Sequence, residues 1–266
     1  MGDEQSIPGS SALLDAFALT GKVALVTGSG RGLGWGMARF AAKAGAHVVL
    51  NGRDEAALRA RAEELRSEGL AASFAAFDVT DADAIAAGVQ AIVESCGGID
   101  ILVNNAGVQN RKPFQTYTPE EWRQIVGTHL DGAFLVTRAV APHMLARRSG
   151  RIIMIGSIAG ERVRGTITAY AAAKGALAAL VRALAVELGP HGITCNGIAP
   201  GFFATDFTRT LQEDAAFNRY ISERVPLGRW GRPEELGPAV VYLASSAGAF
   251  VNGHILTIDG GLVATA

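Results

Sequence analysis

Lys22-Val23-Ala24-Leu25-Val26-Thr27-Gly28-Ser29-Gly30-Arg31-Gly32-Leu33-Gly34 is the stretch that decides the fold. Its first half is a short apolar run with β-branched residues, the pattern of a buried strand. Four glycines follow within seven residues, and then Trp35 to Ala44 reads as an alanine-rich helix with Gly45 at its C-terminal end. Strand, glycine loop and helix together make a phosphate-binding turn. Glycine removes the Cβ that would hold the backbone away from a pyrophosphate, and the helix N-terminus supplies free N–H groups. The spacing is T-G-x-x-x-G-x-G rather than the commoner G-x-G-x-x-G.

Downstream the same alternation repeats. Strands are expected at His47–Asn51, Ala71–Phe77, Asp100–Val103, Gly150–Gly156, Ile193–Ala199 and His254–Ile258. Helical patterns lie between them: one opened by Asp54 as N-cap, one from Thr80 to about Cys96, and one from Pro119 to about Arg148 with Pro142 as a potential kink. A further helix contains Tyr170 to Leu188, and another runs from Pro233 to Ser245. Residues 202–229 read as an inserted helical segment. This alternation implies α/β architecture: a doubly wound parallel sheet of seven strands in one domain over residues 11–266. Residues 1–10 are expected to form a disordered tail.

Composition narrows the function classes. The chain has 266 residues, 49% hydrophobic and 18% charged, with a net charge of −1. Its mean hydropathy is +0.23, so a large core and apolar subunit contacts are both expected. Basic residues are scattered, which argues against a nucleic-acid partner. The apolar runs are broken by charge short of the roughly 20 residues of a membrane helix. Cys96 and Cys195 lack metal-ligand spacing and read as buried free thiols in a reducing compartment. No metal site is expected. The acidic N-terminus lacks a signal-peptide core, and its M-G-x-x-x-S match to a myristoylation pattern is read as coincidence. The absence of an N-x-S/T acceptor fits a cytoplasmic location.

Strand ends are where such sheets place ligands. At the end of the second strand, an acid would take the ribose 2′-hydroxyl of NAD and an arginine the 2′-phosphate of NADP. The residues there are Asn51, Gly52 and Arg53, and Arg31 adds a cation from the glycine loop; NADP is favoured over NAD. Asp78 and Val79 close the third strand, and Asn104-Asn105-Ala106-Gly107 closes the fourth. After the fifth comes Ser157, then Tyr170 and Lys174, four apart and so on one face of a helix.

These residues, in this order and spacing, resemble the classical short-chain dehydrogenase/reductase family across nearly the whole chain. The resemblance implies a Rossmann-type domain, a nicotinamide cofactor and a homotetramer. It implies a proton-transfer centre in which Tyr170 exchanges a proton with the substrate oxygen and Ser157 hydrogen-bonds that oxygen. Lys174 would bind the nicotinamide ribose; an adjacent ammonium would also favour the phenolate. Gly28, Ser29, Arg31, Gly32, Leu33, Gly34, Arg53, Asp78, Val79, Asn105, Ala106, Gly107, Pro200, Gly201 and Thr205 would line the cofactor together with Tyr170 and Lys174. One position departs from the family pattern. His129 stands where an asparagine usually helps hold a water for proton relay; histidine can donate, accept and titrate near neutral pH, so His129 is expected either to take over the relay or to be a satisfied core residue.

Residues 104–114, 199–205, 228–231 and 250–254 are similar to the corresponding runs of gluconate 5-dehydrogenases. That narrower resemblance implies a sugar-acid substrate, D-gluconate/5-keto-D-gluconate. Arg111 and Arg164 are then candidates for its carboxylate and Glu161 for its hydroxyls. Ala159 and Gly160 are smaller than the residues those enzymes carry after the serine and leave room for a bulkier substrate. A reductase of 3-oxoacyl or xenobiotic ketones, and a catalytically silent dinucleotide sensor, remain as alternatives.

Overall fold

The computed structural model describes residues 10–265; most of the expected N-terminal tail lies outside them. Ser10–Asp15 forms a short helix, α1. The strands are β1 (Val23–Val26), β2 (His47–Gly52), β3 (Ala72–Ala76), β4 (Ile101–Asn104), β5 (Gly150–Ile155), β6 (Ile193–Pro200) and β7 (Ile255–Ile258). The other helices are α2 (Gly32–Lys43), α3 (Glu55–Ser67), α4 (Ala82–Cys96), α5 (Pro119–Val126), α6 (Gly132–Arg147), α7 (Thr168–Leu188), α8 (Arg209–Gln212), α9 (Ala215–Arg224) and α10 (Gly237–Ala244).

All seven strands form one sheet in the order β3-β2-β1-β4-β5-β6-β7, and every pairing is parallel. Every residue of β1, β4 and β6 is buried. That explains why the strands read as continuous apolar runs, not as alternations: helices cover both faces. Met37 of α2, Leu58 and Leu65 of α3, and Val240 of α10 pack one face. Ile85 of α4, Val136 and Met144 of α6, and Leu177 and Val181 of α7 pack the other. The strand order reverses between β1 and β4, so their following loops leave on opposite faces and open a crevice at the carboxyl ends.

Several boundaries differ from expectation. Helix α2 starts at Gly32, so half of the glycine loop is already helical. Helix α4 starts at Ala82, where the Asp81 side chain caps two N–H groups. The single helix expected over 119–148 is two helices joined by a widened turn at Gly127–Asp131, in which the N–H of Gly132 donates to the carbonyl of Gly127. Such an i→i+5 turn has no residue signature of its own and is a single-turn interruption of an otherwise helical segment. The segment from Pro233 is a tight turn leading into α10, and residues 202–229 hold two short helices. Asp54 caps α3 as expected, accepting from Ala57 N–H at 3.0 Å. Cys195 is buried and Cys96 only half-buried; both are free. Thr168–His191 is long and apolar enough to cross a membrane. It nevertheless carries Lys174 and Arg182 and packs Leu177, Val181 and Ala185 into the core.

Candidate active site

The crevice at the strand ends is a single large cavity of about 1620 Å³. Its first wall is the glycine loop. A Cβ on Gly34 would collide with the Gly28 carbonyl and the Asn105 amide, so the backbone itself forms the surface here. Gly28 and Gly32 adopt positive φ, +64° and +59°. The loop is held from behind. The Ser29 hydroxyl is fully buried and donates to the Val26 carbonyl at 2.7 Å, while Asn51 N–H donates back to it at 3.0 Å. Ser29 therefore fixes the loop to β1 and β2 and does not face the cleft, contrary to the expectation that it lines the cofactor. The Thr27 hydroxyl accepts from Asn105 and Ala106 N–H, at 2.9 and 3.1 Å, and the Asn105 amide donates to the Thr27 and Gly28 carbonyls. These bonds lock the Asn105-Ala106-Gly107 turn onto the glycine loop. Thr27, the first residue of the T-G-x-x-x-G-x-G pattern, thus has a bracing role that the pattern alone does not show, because its hydroxyl bonds residues about 80 positions away.

At the end of β2, Asn51 turns inward and donates to the Ala75 and Phe77 carbonyls. No acid occupies this position. Arg31 and Arg53 both line the cleft, and Arg53 approaches Asp78 at 3.6 Å. The Asp78 carboxylate also accepts from the Thr80 N–H and hydroxyl. Leu33, Val79, Ala106, Gly107, Pro200, Gly201 and Thr205 line the cavity. Glycine surfaces against a helix N-terminus, with cations at the β2 end, suit a dinucleotide carrying a ribose phosphate.

Ser157, Tyr170 and Lys174 arrive from the end of β5 and the first turns of α7 and line the same cavity. The Ser157 hydroxyl accepts from Ala159 N–H at 3.1 Å. Burial pushes the Tyr170 phenol up from its usual value; the facing Ser157 hydroxyl and the Arg111 guanidinium pull it the other way. The Lys174 ammonium is buried and donates to the Ile155 carbonyl at 2.6 Å, 5.6 Å from the centre of the tyrosine ring. Burial lowers its pKa to about 7.

Arg111 is set by a residue that sequence reading passed over. With the Gln109 amide turned so that its oxygen faces the guanidinium, that oxygen accepts from Arg111 at 2.6 and 2.7 Å and its nitrogen donates to the Phe207 carbonyl at 3.1 Å. Burial lowers the Arg111 pKa, and nearby Arg164 pushes the same way. Arg164 stacks on aromatic rings of α9, 4.2 Å from the Tyr220 centroid and 4.6 Å from Phe217. Glu161 lines the cavity. Ala159 does too, but a Cβ on Gly160 would press on the backbone of Lys174 and Gly175 at 3.1–3.2 Å. The smallness of Gly160 serves loop packing on α7, and only Ala159 leaves room in the cleft.

His129 sits on the widened turn between α5 and α6, 3% exposed. Its Nε2 lies 2.7 Å from the Val108 carbonyl. Its ring meets Tyr170 edge-on at 5.1 Å between centroids, and a Cβ on Gly107 would run into it. Burial first, and then the charge of Lys174, lower its pKa to about 3. Burial thus favours the neutral imidazole over the titration near neutral pH that an exposed histidine would show. Its Nδ1 and the Asn104 Oδ1 are both buried without partners. Among the described residues, no three His, Cys, Asp or Glu side chains are grouped to hold a metal.

A dinucleotide cradle, a Ser–Tyr–Lys group over it and this strand order define a Rossmann-type oxidoreductase. A family model described as enoyl-(acyl carrier protein) reductase matches residues 28–263, and the chain belongs to the short-chain dehydrogenase/reductase family. It is 46% identical to gluconate 5-dehydrogenase of Gluconobacter oxydans over 93% of this chain and 97% of that one. It is 44% identical to 5-keto-D-gluconate 5-reductase of Escherichia coli K12, over 94% and 98% respectively. A gluconate 5-dehydrogenase from Burkholderia cenocepacia, crystallised with NADP and tartrate, superposes with a TM-score of 0.93 at 45% identity, covering 96% of this chain and all of that one.

Proposed function

We propose that the chain interconverts D-gluconate and 5-keto-D-gluconate with NADP(H). The Arg111 guanidinium, which lines one cavity with Ser157, Tyr170 and Lys174, carries this reading: a cation in the wall of the catalytic cleft suits an acidic substrate. Relatives named for this reaction, and one crystallised with NADP, support it.

Arg31 and Arg53 would hold the 2′-phosphate, and the Gly28–Gly34 loop the pyrophosphate. Bound NADPH supplies the hydride. The Ser157 hydroxyl then donates to the substrate carbonyl oxygen, stabilising charge as it develops. The Tyr170 phenol, protonated as burial favours, delivers the proton in reduction and takes it back in oxidation. Lys174, freed from or sharing the Ile155 carbonyl, would hold the nicotinamide ribose. His129 acts by packing: neutral, it fixes the Gly107–Val108 turn against the tyrosine ring.

We further read the protein as a cytoplasmic homotetramer with a small-molecule substrate and no nucleic-acid or membrane partner. Exposed Phe134 and Val186, on α6 and α7, supply apolar surface for subunit contact.

The test is NADPH oxidation with 5-keto-D-gluconate against acyl and aryl ketones. Turnover of the keto acid is expected, and Tyr170→Phe should lower kcat by about 10²–10⁴-fold while NADPH still binds. Turnover of a 3-oxoacyl thioester without turnover of 5-ketogluconate would refute the reading.

A further inference from the structure

Asn110-Arg111-Lys112 carries two cations side by side on the loop after β4, and the fold treats them differently. The Lys112 ammonium donates to both carboxylate oxygens of Glu121, at 2.8 and 2.7 Å, and the Asn110 amide donates to one of them at 3.0 Å. Glu121 is further committed by accepting from the Thr118 N–H at 2.8 Å, part of the cap of α5. The loop is held on its other flank too. The Lys112 N–H donates to the Thr166 carbonyl at 3.0 Å, and the Tyr117 hydroxyl donates to the Asn110 carbonyl at 2.6 Å. Arg111 therefore starts from a braced backbone, and Glu121 is already taken by its neighbours.

What Arg111 meets instead is an amide. The Gln109 oxygen accepts from Arg111 Nε at 2.7 Å and from Nη2 at 2.6 Å, and the Gln109 nitrogen donates to the Phe207 carbonyl at 3.1 Å. A guanidinium only donates, which fixes the orientation of that amide. The two bonds occupy one edge of the planar group, Nε–Nη2, and pin it by its own fork geometry. The Nη1–Nη2 edge has no protein acceptor among the described residues. No carboxylate cancels the charge either. Of the acids that line the cavity with Arg111, Asp78 pairs with Arg53, Glu120 with Arg123 and Asp206 with Arg209, and among the described residues none pairs with Arg111. A glutamate would fill the space of Gln109 and make the stronger, charge-assisted contact. The neutral amide orients the guanidinium at full charge; an acid would hold it and cancel it.

We propose that Gln109 is a positioning residue for substrate charge: its neutral amide holds Arg111 by one edge and leaves the other edge, uncancelled, for the carboxylate of the sugar acid. This rests on the sugar-acid reading above and adds the reason that the cleft selects an acid over a neutral polyol. The bond from Gln109 to Phe207, whose ring centroid lies 6.3 Å from that of Tyr170, ties the orientation of the cation to the segment after β6 that flanks the catalytic tyrosine.

The experiment measures binding to the full chain saturated with NADP, by calorimetric titration of D-gluconate and of D-gluconamide, which has the same hydroxyls and no charge. The parent is expected to prefer gluconate by about tenfold or more. Gln109→Glu should reduce that preference to about threefold or less, and should raise KM for 5-keto-D-gluconate about tenfold with kcat within about twofold. Gln109→Met removes the amide without adding charge. It should weaken gluconate binding about threefold and keep a larger preference over gluconamide than Gln109→Glu does. A Gln109→Glu variant that weakens both ligands alike, as lost loop packing would, or that keeps the parent's preference, overturns the proposal. So does unchanged gluconate binding in Gln109→Met. A parent without any preference for the carboxylate overturns it as well; 5-ketogluconate turnover by that parent would still keep the assigned reaction. Loss of preference in Gln109→Glu without 5-ketogluconate reduction by the parent would keep the role of Gln109 and discard the reaction.

Discussion

Replacing His129 with asparagine isolates a pH-dependent stability that the fold has built in. His129 is neutral in the folded protein because burial and the Lys174 charge lower its pKa from 6.5 to about 3. Once unfolded, it titrates at its ordinary value. Below that value the unfolded chain binds a proton that the folded chain refuses, so acid favours unfolding. The His129 contribution to stability is flat above the unfolded pKa, falls as the pH drops from 6.5 toward about 3, and is flat again below. Integrating that difference gives a loss of about 2 kcal/mol on going from pH 8 to pH 5, and a ceiling of roughly 5 kcal/mol at the acid end. Asparagine does not titrate, so the variant lacks this term. Any cost of the smaller side chain is the same at both pH values and cancels, as does titration of His47, whose pKa burial also lowers. The assay is urea unfolding of both proteins at the two pH values and one protein concentration. The parent should lose about 2 kcal/mol more than His129→Asn between pH 8 and pH 5. A difference under about 0.5 kcal/mol, the scatter of independent effects, would refute the neutral buried imidazole.

Two further outcomes follow from contacts in the cleft. Gly107→Ala should destabilise the protein by about 1–3 kcal/mol, because the added methyl meets the His129 ring. In the His129→Asn background the cost should fall by about 1 kcal/mol in a double-mutant cycle; strict additivity would mean that the two residues do not touch. Arg53→Asp, which places an acid at the β2 end, should cut kcat/KM for NADPH by roughly tenfold or more and narrow the gap to NADH. A parent enzyme that already prefers NADH would overturn the Arg53 argument.

The sheet was legible because its signals are local. Each strand is a short apolar run ended by a glycine or polar turn, and each helix spacing fixes a parallel crossover. What escaped was set by backbone hydrogen bonding without a side-chain signature. The turn at Gly127–Asp131 interrupts the helix expected over 119–148. Nothing in Gly127-Thr128-His129-Leu130-Asp131 excludes a helix as a proline would, so the helical reading runs straight through it. That turn decides where His129 points, and therefore what its ring touches. Ser29 failed for a related reason. A serine in a glycine loop reads as a ligand contact until the carbonyl of Val26 is seen to occupy its proton.

The same limit governs the electrostatics of the site. An i, i+4 spacing correctly places Tyr170 and Lys174 on one face of α7, but it says nothing about what else a buried ammonium finds. A buried cation needs an acceptor, and the nearest is the Ile155 carbonyl at the end of β5. Burial lowers the Lys174 pKa to about 7; Arg111 keeps its charge as a guanidinium does even when burial lowers it. Arg111 lines the same cavity from the loop after β4, held by Gln109 and through it by the backbone of Phe207. Arg111 and Tyr170 thus share one cavity although they arrive from a loop and a helix about 60 positions apart, a meeting that neither helical spacing nor composition encodes.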